Sequence, residues 1–229
     1  MTYRMLTIGH RGCAGQYPEN TIPAIEGSAP HVDLVEVDVM RCGSGELVAF
    51  HDDDLSRLTT AAGRLDETAV DDLTALRVDG SEATIPRFDQ VVEAWPAGTG
   101  MNLDTRDPGL VEDALAAVEG LDERVVFSSP SREAVDIALE TPTPAEVGYS
   151  FRDDASAELT WAAERGCEFV HVEHGLCTSS DLVERAHDAG LLVDAWTVDD
   201  EATATTLRSL GVDALTVDRW DVVAPEACS

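Results

Sequence analysis

The second half of this 229-residue chain repeats a structural unit rather than a sequence. Apolar stretches, most of them rich in Val, begin near Val125, Val147, Phe169, Leu192 and Val212, roughly 20 to 23 residues apart. Helical patterns lie between them. An earlier one opens at Asp107-Pro108, sets Leu110, Val111, Ala114, Leu115 and Val118 on one face, and stops at Gly120. Thr178 to Asp181 reads as a capping-box-like start, with Leu182, Val183 and Ala186 inward and Gly190 as the stop. Asp199 to Leu210 runs the same way into Gly211. Strict alternation of strand and helix means a parallel sheet. Three earlier strands fit at Leu6–Ile8, Leu34–Val39 and Met101–Leu103, which brings the total to eight. Eight such units in a chain of this length predict an α/β fold, the (β/α)8 TIM barrel. A doubly wound sheet is the structural competitor, although no GxGxxG follows the first strand.

One interval breaks the rhythm. About 67 residues separate Leu34 from Met101, roughly three repeats. The stretch from about 41 to 88 holds a strand candidate, Leu47–Phe50, then polar turns and a short helix near Thr68–Leu76. It reads as a small insertion after strand 2, on the active-site face and too small for a separate domain. Residues 1–229 are thus expected to form a single domain.

Composition narrows the partners. Fifteen basic residues, all Arg and none Lys, stand against 45 acidic ones, for a formal net charge of −30. Such a surface excludes a nucleic-acid footprint and repels anionic membranes, so neither nucleic acid nor stable membrane association is expected. Acids spread along the whole chain fit adaptation to high salt, where counterions screen self-repulsion. Five Cys without CxxC spacing read as free thiols of a reducing compartment. No apolar run approaches 18 residues, and Met1-Thr2-Tyr3-Arg4 leads straight into the first strand without a signal peptide. A cytoplasmic location follows as an expectation.

The chemistry gathers at strand ends. After the first strand comes His10-Arg11-Gly12: a proton-transfer group, a fork for phosphate, and a glycine that permits close backbone approach. Asn20 or Thr21 then caps a helix whose first turn tolerates Pro23. In Val35-Glu36-Val37-Asp38-Val39, alternation places both carboxylates on one face. Inside a barrel, paired acids are costly without a cation between them. Asn102, Asp104 and Arg106 share a face by the same rule, adding a third carboxylate and a second Arg. Oxygen ligands without Cys or clustered His favour a hard divalent ion, Mg²⁺ or Ca²⁺, over zinc. The insertion brings His51; later strand ends bring His171 and Trp196. A phosphodiester reaction needs such parts: cations against the phosphoryl charge and two proton-transfer groups.

These segments resemble a known family. His10-Arg11-Gly12, Pro18-Glu19-Asn20-Thr21, Val35-Glu36-Val37-Asp38-Val39 and His51-Asp52-Asp53-Asp54-Leu55-Ser56-Arg57-Leu58-Thr59 are similar to the motifs of the glycerophosphodiester phosphodiesterase family. Gly63-Arg64, Ile85-Pro86-Arg87-Phe88, Phe127-Ser128-Ser129, Ala195-Trp196-Thr197-Val198-Asp199 and Gly211 to Asp218 continue the match over essentially the whole chain. His171 with His174 resembles the bacterial cytosolic branch, here in a strongly acidic, halophile-like form. The resemblance implies a TIM barrel and metal-dependent hydrolysis of glycerophosphodiesters, small-molecule substrates, to glycerol phosphate and an alcohol. It implies His10 and His51 as the acid/base pair, and Glu36 and Asp38 as ligands of a divalent metal ion, Mg²⁺ or Ca²⁺. Arg11 would hold the phosphate, Glu19 would orient Arg11 or complete the ligand shell, and Trp196 would wall the glycerol. The substrate's own hydroxyl would attack phosphorus, and water would open the cyclic product.

Two departures from the family pattern stand out. Its Glu-x-Lys at the third strand is Asp104-Thr105-Arg106 here; the shorter Asp104 is expected to join the metal site, directly or through a water, and Arg106 keeps the charge with a different geometry. The last helix, from Asp221 onward, is expected to be short or absent. Two rivals follow: a phosphodiesterase of the same fold acting on lysophospholipids, and a non-catalytic phosphate-ester- or metal-binding homologue. The insertion is too polar to favour an apolar groove for a lipid tail. Head group, preferred ion, glycerol stereochemistry and oligomeric state are not written in these motifs. Elsewhere, Asp52, Asp53 and Asp54 read as a solvated turn. Glu173, His174, His31 and His187 read as surface residues, and Trp161 and Trp220 as packing.

Overall fold

The computed structural model describes residues 4–223. Eight parallel strands close on themselves: β1 (Leu6–Gly9), β2 (Leu34–Arg41), β4 (Gly100–Asp104), β5 (Val125–Ser129), β6 (Glu146–Phe151), β7 (Phe169–Glu173), β8 (Leu192–Val198) and β9 (Ala214–Val217). Closure comes from β1, which pairs with β9 on one side and β2 on the other. A ring excludes the doubly wound alternative, whose sheet stays open. The remaining strand, β3 (Leu47–Ala49), is antiparallel to the end of β2 and starts the insertion.

Helices cover the outside: α1 (Ile22–Ser28), α3 (Phe88–Glu93), α4 (Val111–Val118), α5 (Arg132–Glu140), α6 (Ala155–Arg165), α7 (His174–Ser179), α8 (Leu182–Asp188) and α9 (Glu201–Leu210). The short α2 (Val70–Leu73) lies in the insertion. Thr21, rather than Asn20, caps α1 by accepting from the Ala24 amide.

The main core lies between sheet and helices, where outward strand residues such as Val35, Val37, Met101, Phe127 and Val193 meet the helices' inner faces. Each such side chain contributes about 1.5–3 kcal/mol by leaving water. A second, small cluster plugs the lower barrel interior with Ile8, Leu34, Val126, Phe169 and Ala214. The insertion has its own core, built by Val48, Phe50, Leu55, Leu65, Leu73 and Ile85. It is therefore a packed cap seated on the barrel rather than a long loop.

Three local expectations change. Thr178–Asp181 starts no capping box, because α7 already runs to Ser179 with Glu173 as its cap; Ser180 then accepts from the Leu182 amide. The eighth barrel strand begins at Ala214 rather than Val212, whose amide still bonds back to Leu207 at the end of α9. Past β9, a single turn, Trp220–Val222, replaces the start of a helix; the rest of that expected helix, Cys228 and Met1 to Tyr3 lie outside the described residues. Cys13, Cys42, Cys167 and Cys177 are free and buried. Burial pushes the Cys13, Cys167 and Cys177 thiols up to about 12, which leaves them inert. No helix among the described residues is long and apolar enough to cross a membrane.

Candidate active site

All eight strands point their C-terminal ends to one mouth, and a cavity of about 470 Å³ opens there. His10, Arg11, Glu36, Asp38, His51, Asp104, Arg106, His171 and Trp196 all line it. Glu19 is the one predicted site residue that does not; it stands behind Arg11 and accepts from Arg11 Nη1 at 2.8 Å.

The turn after β1 builds one wall. Arg11 (φ 51°) and Gly12 (φ 78°) both adopt left-handed backbone, unfavourable for the Arg by ~1–3 kcal/mol. Gly12 is irreplaceable by position as well: a Cβ there would lie 2.7 Å from that of Ala24. The twist turns His10 and Arg11 into the mouth. Asn20, also left-handed, ties this turn to β2 by donating to Asp38 Oδ2 (2.8 Å) and accepting from the Asp38 amide (3.1 Å). Arg11 Nε lies 3.2 Å from the same Asp38 oxygen.

The two histidines are held alike. His10 Nδ1 meets Asp218 Oδ1 at 2.6 Å, and His51 Nδ1 meets Asp52 Oδ1 at 2.5 Å. Each carboxylate engages Nδ1 and so leaves Nε2 as the ring nitrogen available for proton transfer. Their electrostatics differ. Burial works to lower the His10 imidazole, but the Glu36 and Asp218 carboxylates outweigh it and raise it to about 9. Burial lowers His51 below its ordinary value, and Arg11 and Arg106 add to that against the pull of Asp38. Asp52 is held down at about 2 against its burial, by hydrogen bonds from Arg57 and His51. Asp52 is thus a structural partner of a site histidine, not part of a merely solvated turn. Arg57 bonds Asp52 and also grips both oxygens of Glu19 at 2.7 and 2.9 Å, fastening the insertion to the Arg11 turn. Arg106 adds a link from the far side, donating to the His51 carbonyl at 3.0 Å.

The acids form the adjoining wall, on β2 and β4. Glu36 and Asp38 are only 8% and 5% exposed, inside the barrel as the alternation predicts. Burial raises Glu36 to about 8, with like charge from Asp38 and Asp104 adding to it against the pull of His10. Burial likewise raises Asp104 to about 6. Glu36 has no hydrogen-bond partner among the described residues. Buried, under-compensated carboxylates of this kind fit a hard divalent cation. The three acids do not stand as a ready ligand shell, however. Asp38 faces Arg11 and Asn20, Asp104 accepts from Ser128 Oγ at 2.7 Å, and no metal-holding cluster of three such groups occurs among the described residues.

Asp218, Asp52, Asn20, Arg57 and Ser128 received no site role from sequence. Only Asp52, next to His51, carried a local signal; the others depend on contacts between distant segments. Tyr149 and Arg152 also line the cavity, Arg152 sitting 5.4 Å over the Trp196 ring. Exposed His31 stacks on half-buried Trp220 with centroids 3.9 Å apart, and Trp161 packs on Tyr149.

Residues 10–222 match the glycerophosphoryl diester phosphodiesterase family. The chain belongs to this family. An Oleispira antarctica phosphodiesterase, solved in complex with the product sn-glycerol-3-phosphate, is 30% identical. It superposes with a TM-score of 0.85 over 95% of this chain and 94% of that one. A glycerophosphodiester phosphodiesterase of Bacillus subtilis is 24% identical over 91% of this chain and 82% of its own length. The fold is shared with a glycerophosphodiester phosphodiesterase from Thermotoga maritima, at 21% identity and a TM-score of 0.82 over 97% of both chains. Family membership makes this chain an enzyme of phosphodiester hydrolysis.

Proposed function

We propose that this enzyme hydrolyses glycerophosphodiesters to glycerol phosphate and an alcohol, with His10 and His51 as its acid/base pair. One observation carries the reading: two Asp-held histidines face one cavity with imidazoles shifted in opposite directions. A group held protonated and a group held neutral is what a proton relay across a phosphodiester requires. The product bound to the Oleispira antarctica relative supports glycerol phosphate as the product here too.

In this reading, Arg11 binds a phosphoryl oxygen, oriented by Glu19 from behind, and Arg106 adds positive charge from the third-strand loop. His51 accepts the proton of the substrate hydroxyl that attacks phosphorus. His10 donates its Nε2 proton to the departing alkoxide. Water then opens the cyclic phosphodiester with the two roles reversed. Trp196 closes the apolar side of the glycerol.

Enzymes of the family generally use a divalent metal. Glu36, Asp38 and Asp104 would hold it here, Mg²⁺ and Ca²⁺ being the ions that suit three carboxylates. When bound, it supplies positive charge against the phosphoryl oxygens. Asp38 would have to exchange part of its contact with Arg11 for the ion.

The test is release of glycerol phosphate from glycerophosphocholine and glycerophosphoethanolamine in molar salt. It runs with Mg²⁺, with Ca²⁺ and with chelator, beside His10→Ala and His51→Ala. Turnover that needs a metal and both histidines is expected. Binding of a phosphodiester without turnover under any ion would overturn the reading and point to Asp104. Faster release from lysophosphatidylcholine would move the substrate class to lysophospholipids.

A further inference from the structure

The floor of the cavity is built differently from its walls. His171 on β7, Asp194 on β8 and Asn102 on β4 are 3%, 1% and 3% exposed, and all three line the cavity. His171 Nδ1 bonds Asp194 Oδ2 at 3.0 Å, and the Thr216 hydroxyl donates to the same oxygen at 2.8 Å. The imidazole rests on Phe169 of the apolar plug, ring centroids 5.8 Å apart and planes at 28°. Gly148 on the neighbouring strand leaves room for the ring edge; a Cβ there would come within 2.3 Å of Nε2.

Each of these held side chains keeps one buried polar atom without a protein partner: His171 Nε2, Asp194 Oδ1 and Asn102 Oδ1. The Asn102 orientation follows from its neighbours. Ser128 Oγ gives its proton to Asp104, so it must accept from the Asn102 amide nitrogen, which leaves the amide oxygen unpaired. Two of the three unpaired atoms are therefore obligate acceptors. A phosphoryl oxygen also only accepts and cannot satisfy them. A hydroxyl has a proton to give, and so can answer one of these acceptors, Asp194 or Asn102, or His171 in either tautomer. The cations Arg11, Arg106 and His10 lie at the turn after β1 and the loop after β4, so the phosphate belongs there.

We propose that the floor is a polyol subsite, in which His171, backed by Asp194, reads the glycerol hydroxyl that takes no part in the phosphorus chemistry. This assignment rests on the function proposed above. It makes His171 a specificity-determining residue, and it makes Gly148 the residue that positions its ring.

The test compares glycerophosphoethanolamine with its analogue in which the terminal glycerol hydroxyl is replaced by hydrogen. Both are given to the wild type, His171→Gln and Gly148→Ala, and kcat/KM is taken for each. Calorimetry measures in parallel the binding of glycerol phosphate and of 1,2-propanediol phosphate. The wild type should prefer the full polyol by about 10- to 100-fold in both measurements, because the deoxy compound leaves a buried acceptor unpaired. In both variants the preference should fall to within about threefold of unity. A wild type indifferent to the hydroxyl, or variants that keep its preference while losing rate on both compounds alike, would overturn the subsite. A wild type that cleaves neither diester yet still binds glycerol phosphate selectively would sink the proposed activity and uphold the floor. Gly148→Ala supplies the answer should removal of the buried imidazole prevent folding.

Discussion

His10 and His51 reach the same cavity from two regions of different construction. His10 belongs to the barrel itself, in a turn between β1 and α1, and its Asp218 follows the last barrel strand. His51 belongs to the insertion, beside its own Asp52, above a separately packed core. The barrel surrounds His10 with the carboxylates Glu36 and Asp218, while the rim surrounds His51 with the guanidinium groups of Arg11 and Arg106. Identical side chains with identical partner types thus acquire opposite electrostatic character from burial and from the charges around them. The lesson is that like His–Asp pairs do not titrate alike: at His51 burial prevails, with Arg11 and Arg106 adding to it, whereas at His10 the Glu36 and Asp218 carboxylates overcome burial.

The largest break in this comparison comes from removing either ring. His10→Ala and His51→Ala should each lower kcat on glycerophosphoethanolamine by about 10²- to 10⁴-fold. Because the proposed proton relay uses both, the double variant should lose much less than the product of the single losses. Steady-state kinetics on the three variants checks this.

Removing the carboxylate partners separates the two regions more finely. Asp218→Asn and Asp52→Asn should each cost about 10- to 100-fold, the value of a charge-assisted hydrogen bond. The pH profile should distinguish them. The wild-type rate should fall on the acid side below the ordinary imidazole range, as His51 protonates, and on the alkaline side near 9, as His10 loses its proton. Asp218 raises His10, so Asp218→Asn should bring the alkaline limb down. Asp52 raises His51, so Asp52→Asn should move the acid limb further down and leave the alkaline limb in place. A shift of the same limb in both variants would contradict the assignment.

Chelation probes the acid wall beside His10. Glu36 is raised from 4.5 to about 8, so between those values the folded protein binds more protons than the unfolded chain. Stability should therefore fall as pH rises through that window in the presence of chelator. His10, raised from 6.5 to about 9, contributes stability that is full below 6.5 and is lost as pH rises through about 9. An added divalent ion should flatten the Glu36 component, so that the gap in Tm between Mg²⁺ and chelator widens with pH. Calorimetric scans across this range would show it, and a constant gap would argue against Glu36 as a ligand.

The smallest effect concerns the fastening between the regions. Arg57 joins Asp52 of the insertion to Glu19 of the barrel turn, but its side chain is 45% exposed. Solvent screening limits such a pair to about 1 kcal/mol, so Arg57→Gln should cost less than about fivefold in kcat/KM. The loss should shrink further in molar salt.

Much of this was legible in the chain itself, because strands and helices are local. Five evenly spaced apolar runs and three earlier strand candidates made eight barrel units, and the alternation in Val35–Val39 put Glu36 and Asp38 on the inner face, where both are buried. Gly12 marked the turn after β1 for the same reason: its left-handed backbone is a local demand. Even the interval before Met101 announced an insertion. Closure of the ring through β1 and β9 was different in kind. It brings His10 to Asp218, 208 positions apart, and no local pattern encodes which acid among 45 makes that contact. Arg57 at Glu19, Asn20 at Asp38 and the ring of His171 above Gly148 are likewise products of packing. Sequence by itself determined the periodicities, hence the barrel and the residue types at its mouth. Tertiary structure decided their partners and their charge states, since burial and neighbouring charge act through space rather than along the chain.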